Sequence, residues 1–81
     1  MYFEMAADAD HIDALYNLGY MYENGIGVEV DAKAAIYYYE TAADFDDIAA
    51  IQALIRIYSE GKIVERDDLM AQRWRRKLKF G

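Results

Sequence analysis

Residues 14–46 read ALYNLGYMYENGIGVEVDAKAAIYYYETAADFD, and much of this stretch returns later in the chain at a spacing of 36 residues. Sliding the sequence by 36 pairs residues 1–45 with 37–81 without a gap, and 15 of the 45 pairs are identical. A fixed period of this length is typical of stacked supersecondary units, each of which buries its apolar face against its neighbours. The sequence therefore predicts a repeat architecture.

Each unit contains two stretches with apolar residues at spacings of three and four, the pattern of an amphipathic helix. Helices are predicted over about 11–24, 32–44, 47–60 and 68–80, and residues 1–9 are interpreted as the last turns of a preceding helix. The residues expected on the buried stripes are, helix by helix, Ile12, Leu15, Leu18 and Tyr22; Ala35, Tyr38, Tyr39 and Ala42; Ile48, Ile51, Leu54, Ile55 and Tyr58; and Leu69, Ala71, Trp74 and Leu78.

Acidic residues and glycines mark the ends of these helices. Asp10, Asp31 and Asp67 are expected to cap helix starts, because a carboxylate accepts hydrogen bonds from the free amides of a first turn. Gly25 and Gly61 are expected to end helices, since glycine enters the left-handed conformation without a Cβ penalty. The prediction is one all-α domain over 1–81, with about five antiparallel helices in half a repeat (1–9) and two full repeats (10–45 and 46–81).

Composition fits an ordinary globular chain, with 56% hydrophobic and 30% charged residues and a net charge of -6. There is no cysteine, so neither disulfides nor thiolate metal sites are available. No apolar run approaches the ~20 residues of a membrane span, and the first ten residues lack the pattern of a signal peptide. The compartment is left open, with the cytoplasm slightly favoured.

The quoted stretch resembles a Sel1-like repeat, a helical repeat of about 36 residues related to the tetratricopeptide repeat. The residues that carry the resemblance are Ala14, Leu18, Gly19, Tyr22, Gly25, Gly27, Val28, Asp31, Lys33, Ala34, Tyr37, Tyr38, Ala42 and Ala43. The resemblance implies a right-handed α/α superhelical solenoid of the tetratricopeptide-like kind. It also implies a non-catalytic role as an adaptor in assembling complexes, in signalling or in bacterium–host contact.

The second repeat departs from this pattern. Ile55 stands at the position of Gly19, Ile63 at that of Gly27, and Leu78-Lys79 at that of the Ala42-Ala43 pair. The segment RWRRKLKF (residues 73–80) replaces a surface that would receive another unit. Residues 46–81 are therefore interpreted as a degenerate repeat that caps the carboxyl end of the array, because a terminal unit needs a polar outer face.

Catalytic and metal sites are not predicted. Apart from the tyrosines, the only hydroxyl and imidazole groups are those of Ser59, Thr41 and His11, and none lies in a recognised nucleophile motif. His11 among nearby aspartates is read as a solvated helix start, because one imidazole with loop carboxylates lacks a closed coordination pattern. No cofactor is expected.

A protein-binding face is predicted on the first helix of each repeat, which lines the concave surface in tetratricopeptide stacks. By that analogy the concave positions are Asp13, Tyr16, Tyr20, Asn24, Gln52 and Arg56, with Ala49 and Glu60 beside them. Tyrosines with polar neighbours suit peptide recognition, since each offers apolar area and a hydroxyl. The alternative is an exposed face with no ligand.

Charge is distributed unevenly along the chain. Residues 1–47 hold 11 acidic residues and one lysine, whereas residues 48–81 hold 4 acidic and 8 basic residues. The basic tail is not read as a site for nucleic acid or membrane lipid, because the acidic chain as a whole opposes phosphate. Head-to-tail self-association of acidic front and basic tail is a possible use, and it predicts salt-sensitive assembly.

The function expected from these observations is a protein–protein interaction module that holds a protein or peptide of unknown identity. The alternatives are a structural spacer within a longer array and an accessory part of an enzyme. The enzyme alternative draws on a cysteine-rich branch of the family linked to β-lactam binding, which the absence of cysteine makes a poor fit.

Overall fold

The computed structural model describes residues 9–80, and the side chains of residues 11–79, as four α-helices joined by short links. Helix α1 spans Ala9–Asn24, α2 spans Ala32–Asp44, α3 spans Ile48–Glu60 and α4 spans Asp68–Phe80. No strand occurs in this part of the chain. The predicted all-α class is confirmed, while the expected helix end over residues 1–9 lies outside the described residues except for Ala9.

Both helical hairpins turn in the same way. Gly25 follows α1 with a φ of +68° and Gly61 follows α3 with a φ of +67°, a conformation in which a Cβ would be strained. At Gly61 a Cβ would also lie 3.0 Å from the backbone nitrogen of Arg66. The two glycines therefore end their helices as predicted.

The caps of the second helices repeat as well. The Oδ1 of Asp31 accepts a hydrogen bond from the Ala34 amide at 3.2 Å, and the Oδ1 of Asp67 accepts one from the Met70 amide at 3.1 Å. Each carboxylate satisfies one of the free donors of a first helical turn. The 36-residue spacing is thus a repetition of backbone conformation as well as of sequence.

The prediction that Asp10 precedes the first full helix is wrong, because α1 already includes Ala9 and Asp10. Asp10 therefore lies within α1 and not before it. The residue directly before α3 is Asp47, so this helix begins at Ile48 and not at 47.

Each helix packs mainly against its neighbours in the chain, α1 on α2, α2 on α3 and α3 on α4. The largest fully buried side chains are Tyr39 of α2 and Ile51, Leu54 and Ile57 of α3. Small residues fill the remaining contacts, and the buried alanines are Ala35, Ala42, Ala43, Ala50, Ala53 and Ala71. The core therefore lies chiefly between the second helix of repeat one and the first helix of repeat two.

Two residues assigned to buried stripes are exposed. Leu69 is 74% exposed on α4, and its partner under the 36-residue shift is Lys33, which is also exposed. The position shared by Lys33 and Leu69 thus lies on a solvated face. Burial of Leu69 was predicted only because leucine is apolar. Ile48 is 51% exposed because it is the first residue of α3, at the end of the α2–α3 contact.

Helices α1 and α2 are in close contact at Gly19. A Cβ built on Gly19 would lie 2.8 and 2.9 Å from two carbons of the Tyr39 ring, well inside van der Waals contact. The glycine is therefore required by the partner helix, since the Tyr39 ring occupies the space of its missing side chain.

Candidate functional site

The first helices of the two repeats, α1 and α3, share a face with two adjoining depressions. The larger has a volume of about 300 Å³ and is lined by Tyr16 from α1 and by Ala49, Gln52, Ala53 and Arg56 from α3. The smaller, of about 160 Å³, is lined by Glu23, Asn24, Arg56, Ile57, Glu60, Lys62 and Ile63. Arg56 borders both. We call this surface the α1/α3 face.

Four of the six side chains predicted for the binding face line these depressions, namely Tyr16, Asn24, Gln52 and Arg56. Tyr20 is 46% exposed but borders neither depression. Asp13 is exposed near the start of α1, and its charge helps to raise the pKa of Asp47, although burial of Asp47 is the larger cause. The structure thus gathers residues of α1 and α3 that lie 28 to 40 positions apart into one surface and leaves Asp13 and Tyr20 beside it.

Tyr16 serves both the face and the core. Its half-buried ring packs against Tyr39 with a centroid distance of 5.5 Å and an interplanar angle of 49°. Such tilted aromatic pairs contribute about 0.5–1.5 kcal/mol beyond area burial. Tyr16 therefore lines the depression with a ring that packing against Tyr39 helps to hold in place.

Other tyrosines belong to the seam between α1 and α2, as the sequence predicted. Tyr22 stacks on Tyr38 with ring centroids 5.8 Å apart and planes 16° apart, and Tyr38 meets the edge of Tyr37. Tyr39 is fully buried. Tyr22, Tyr38 and Tyr39 therefore hold the hairpin together, whereas Tyr37 is 61% exposed.

Glu23 is the feature of this face that sequence reasoning missed. Its side chain is only 8% exposed, and its carboxylate joins three helices. The hydroxyl of Tyr39 on α2 donates to Glu23 Oε1 at 2.8 Å, and the guanidinium of Arg56 on α3 donates to both carboxylate oxygens, with Nη2 to Oε1 at 2.8 Å. We call Glu23, Tyr39 and Arg56 the Glu23 network.

The charges of the Glu23 network stabilise one another. Burial alone would raise the pKa of Glu23, but the hydrogen bonds from Arg56 and Tyr39 outweigh it, so the pKa lies below its usual value. The hydrogen bond to Glu23 raises the pKa of Arg56, and burial followed by the same carboxylate raises the pKa of Tyr39. At neutral pH the carboxylate and the guanidinium are therefore both charged.

No signal in the 36-residue pattern pointed to this network. Under the shift, Glu23 becomes Ser59, Tyr39 becomes Arg75, and Arg56 takes the place of Tyr20. Each member is therefore peculiar to one repeat, and Glu23 reads as an ordinary surface residue at the end of a helix. Only the packing of α1, α2 and α3 brings the three together.

The chain also contains one Ser-x-x-Lys spacing, Ser59 to Lys62, which the sequence reasoning overlooked. Ser59 is half-buried in the last turn of α3, and Lys62 lies beyond Gly61, where the helix has ended. Within the described part of the chain no hydrogen bond joins the two side chains. The lysine is therefore not positioned to activate the hydroxyl.

Part of the basic tail is used within the chain. The Nζ of Lys77 lies 3.1 Å from Asp46 Oδ1, which ties α4 to the link between α2 and α3. Between residues 9 and 80, no group of three or more histidine, aspartate or glutamate side chains is arranged to hold a metal. None of the four helices is long and apolar enough to cross a bilayer.

Comparison with protein families identifies one match, to the Sel1 repeat, over residues 1–11, 12–44 and 53–77. The match covers most of the chain. Comparison with curated proteins and with solved structures gave no match. Sel1 repeats typically mediate protein–protein interactions and are generally non-catalytic.

Proposed function

Because the chain belongs to the Sel1 repeat family, we propose that it is a non-catalytic interaction module that binds a protein or peptide on the α1/α3 face. The observation that carries the proposal is the meeting of Tyr16, Gln52 and Arg56 around one depression of about 300 Å³. These residues come from both repeats, so the surface exists only in the folded stack.

The side chains of this depression suit a polypeptide partner. The exposed amide of Gln52 can donate to and accept from a peptide backbone, and the phenol of Tyr16 supplies apolar area with a hydroxyl. The alanines at positions 49 and 53 leave room for a partner side chain between them. Aromatic residues and arginine are enriched in the centres of protein interfaces.

The Glu23 network supports the proposal by holding Arg56 in place. The bidentate contact of Arg56 with Glu23 leaves the guanidinium side chain 42% exposed beside both depressions. A side chain already fixed in the free protein loses less conformational entropy when it contacts a partner. Arg56 therefore offers a preorganised contact at the boundary of the two depressions.

A position-dependent crosslinking experiment tests the proposal. A photocrosslinking amino acid placed at Gln52 should capture a partner in source-cell extract, whereas the same group placed at Gln72, an exposed glutamine on α4, should not. Gln52→Glu should weaken recovery of the captured protein by the full chain in a pull-down, and Gln72→Glu should leave it unchanged.

Equal capture at both glutamines, or equal recovery by both variants, would contradict binding on the α1/α3 face. Capture at neither position would instead favour a spacer that separates other parts of an array. Far-UV circular dichroism of each variant confirms that the helices remain.

A further inference from the structure

The second helices of the two repeats, α2 and α4, enclose a cleft that the proposed protein-binding face does not use. It has a volume of about 350 Å³ and is lined by Glu40 and Asp44 from α2 and by Met70, Arg73, Trp74 and Lys77 from α4. This volume lies within the range of small-molecule sites. We call it the α2/α4 cleft.

The α2/α4 cleft has opposite charges on its two walls. Glu40 and Asp44 are four residues apart and therefore lie on one side of α2. Arg73 and Lys77 have the same spacing on α4. Met70 and the indole of Trp74 supply apolar surface on the basic side. The cleft thus has one acidic wall and one basic wall, and part of its lining is apolar.

The polar groups that line the α2/α4 cleft do not form hydrogen bonds or ion pairs with one another. Among the described residues, Glu40 and Arg73 make no hydrogen bond or ion pair, and Lys77 pairs with Asp46 outside the cleft. The Nε1 of Trp74 is buried without an acceptor. Burial, followed by the charge of Asp44, raises the pKa of Glu40, as expected for a carboxylate that lacks a cationic partner.

The basic wall of the cleft is peculiar to the second repeat. Under the 36-residue shift, Met70, Arg73 and Lys77 correspond to Ala34, Tyr37 and Thr41, none of which carries a charge. The basic wall is therefore not part of the general repeat pattern, and a buried indole donor without an acceptor is unusual in a folded protein.

We propose that the α2/α4 cleft binds a small zwitterion with an apolar body, either an amino acid or a short peptide. Its ammonium group contacts Glu40 and Asp44, and its carboxylate accepts from Arg73. Its apolar body lies on Met70 and the indole ring of Trp74. Glu40 and Arg73 thereby gain the counter-charge that they lack in the free chain.

Trp74 is the only tryptophan, so its fluorescence reports directly on the cleft. The full chain is titrated with L-leucine, with glycyl-L-leucine and with N-acetyl-L-leucine amide, which has neither charge. A saturable change in emission with a zwitterion, and none with the amide, is the expected result. A stronger response to leucine identifies a free amino acid as the ligand, and a stronger response to glycyl-leucine identifies a peptide.

Charge-neutralising variants test the assignment of the walls. Glu40→Gln and Arg73→Gln should each weaken binding about tenfold to a hundredfold, the loss expected for one hydrogen bond to a charged group. Glu65→Gln and Lys33→Gln remove exposed charges of the same sign outside the cleft and should leave binding unchanged. Trp74→Phe, measured by calorimetry, should weaken binding because a phenyl ring offers less apolar surface to the ligand than the indole.

Absence of a saturable response to both zwitterions, or an equal response to the uncharged amide, would overturn the proposal. Equal effects of the cleft variants and of their controls would do the same. Circular dichroism separates these outcomes from unfolding, and the exposed Asp44→Asn provides a second test of the acidic wall. The crosslinking result at Gln52 is independent, because that residue lies on the α1/α3 face.

Discussion

The two repeats turn alike and present different outer surfaces. In α2 the fully buried residues are Ala35, Tyr39, Ala42 and Ala43. Their counterparts in α4 are Ala71, which is buried, Leu78, which is half-buried, and the exposed cations Arg75 and Lys79. The same backbone can therefore continue a stack or end it, depending on a few side chains of its second helix.

This difference agrees with the interpretation of the second repeat as a cap, which stays a prediction. Burying Arg75 against another helix would require a counter-charge, because an unpaired buried guanidinium is costly. Burying Tyr39 needed only one hydrogen bond to Glu23. Whether this position holds a tyrosine or an arginine thus decides whether a following repeat can pack against the helix.

The largest effect is expected from placing the residue of the second repeat at position 19, where α1 contacts α2. Gly19→Ile introduces the residue found at the equivalent position 55, but its Cβ would lie 2.8 Å from the Tyr39 ring. Overpacking of this kind should lower the free energy of unfolding by about 3 kcal/mol, as measured by urea denaturation. Ala14→Ile, at an exposed site of the same helix, controls for helix propensity. Equal losses in both variants would show that α1 and α2 are not in close contact there.

A smaller loss of stability is expected when the hydroxyl of the buried Tyr39 is removed, compared with that of its neighbour Tyr38. Tyr39→Phe keeps the ring and removes the hydrogen bond to Glu23, so the free energy of unfolding should fall by about 1–2 kcal/mol. Tyr38→Phe is the matched control, because within the described chain its hydroxyl makes no hydrogen bond. If the two variants are equally stable, the Glu23 network contributes little in solution.

The Glu23 network also predicts a dependence on pH. The pKa of Glu23 lies below 4.5 in the folded chain, so its carboxylate stabilises the fold above pH 4.5. That stabilisation should be lost as the pH falls from 4.5 through the folded pKa. The difference in unfolding free energy between the natural chain and Glu23→Gln should therefore shrink in acid, whereas Glu29→Gln, at an exposed site, should give no such trend. A difference that stays constant down to the acid limit would reject a depressed pKa.

The smallest effect is expected at the solvated face of α4. Leu69→Lys restores the residue type of the equivalent Lys33, and because Leu69 is 74% exposed, the free energy of unfolding should change by less than about 0.5 kcal/mol. A marked loss of stability in the variant would show that Leu69 is covered in solution.

Sedimentation of the natural chain and of the variant at low and high salt tests the predicted head-to-tail assembly. Loss of assembly in the variant would also show that Leu69 is covered in solution.

Local chemistry made much of the fold predictable. The caps at Asp31 and Asp67 and the glycines at 25 and 61 act within a few residues of themselves, so their patterns indicate helix ends directly. The errors at Ile48 and Leu69 arose because residue type was weighed more heavily than repeat position. Lys33, the counterpart of Leu69, already marked that position as exposed.

The candidate site was only partly predictable. Analogy placed Tyr16, Gln52 and Arg56 on one surface, and the structure brings them around one depression. The analogy could not indicate Glu23, because the hydrogen bonds of that carboxylate come from Tyr39 and Arg56, which lie on other helices. Nor could it indicate the α2/α4 cleft, whose walls lie about 30 residues apart in the chain.

The order of amino acids by itself determined that two similar hairpins follow one another and where their helices begin and end, apart from the start of α1. These features depend on backbone hydrogen bonds and apolar spacing within a single turn or helix. Only the tertiary structure decided that Tyr39 and Arg56 both donate hydrogen bonds to Glu23 and that Glu40 and Arg73 line one cleft without pairing. Electrostatic and hydrogen-bond energies depend on distances across helices, and those distances exist only after packing.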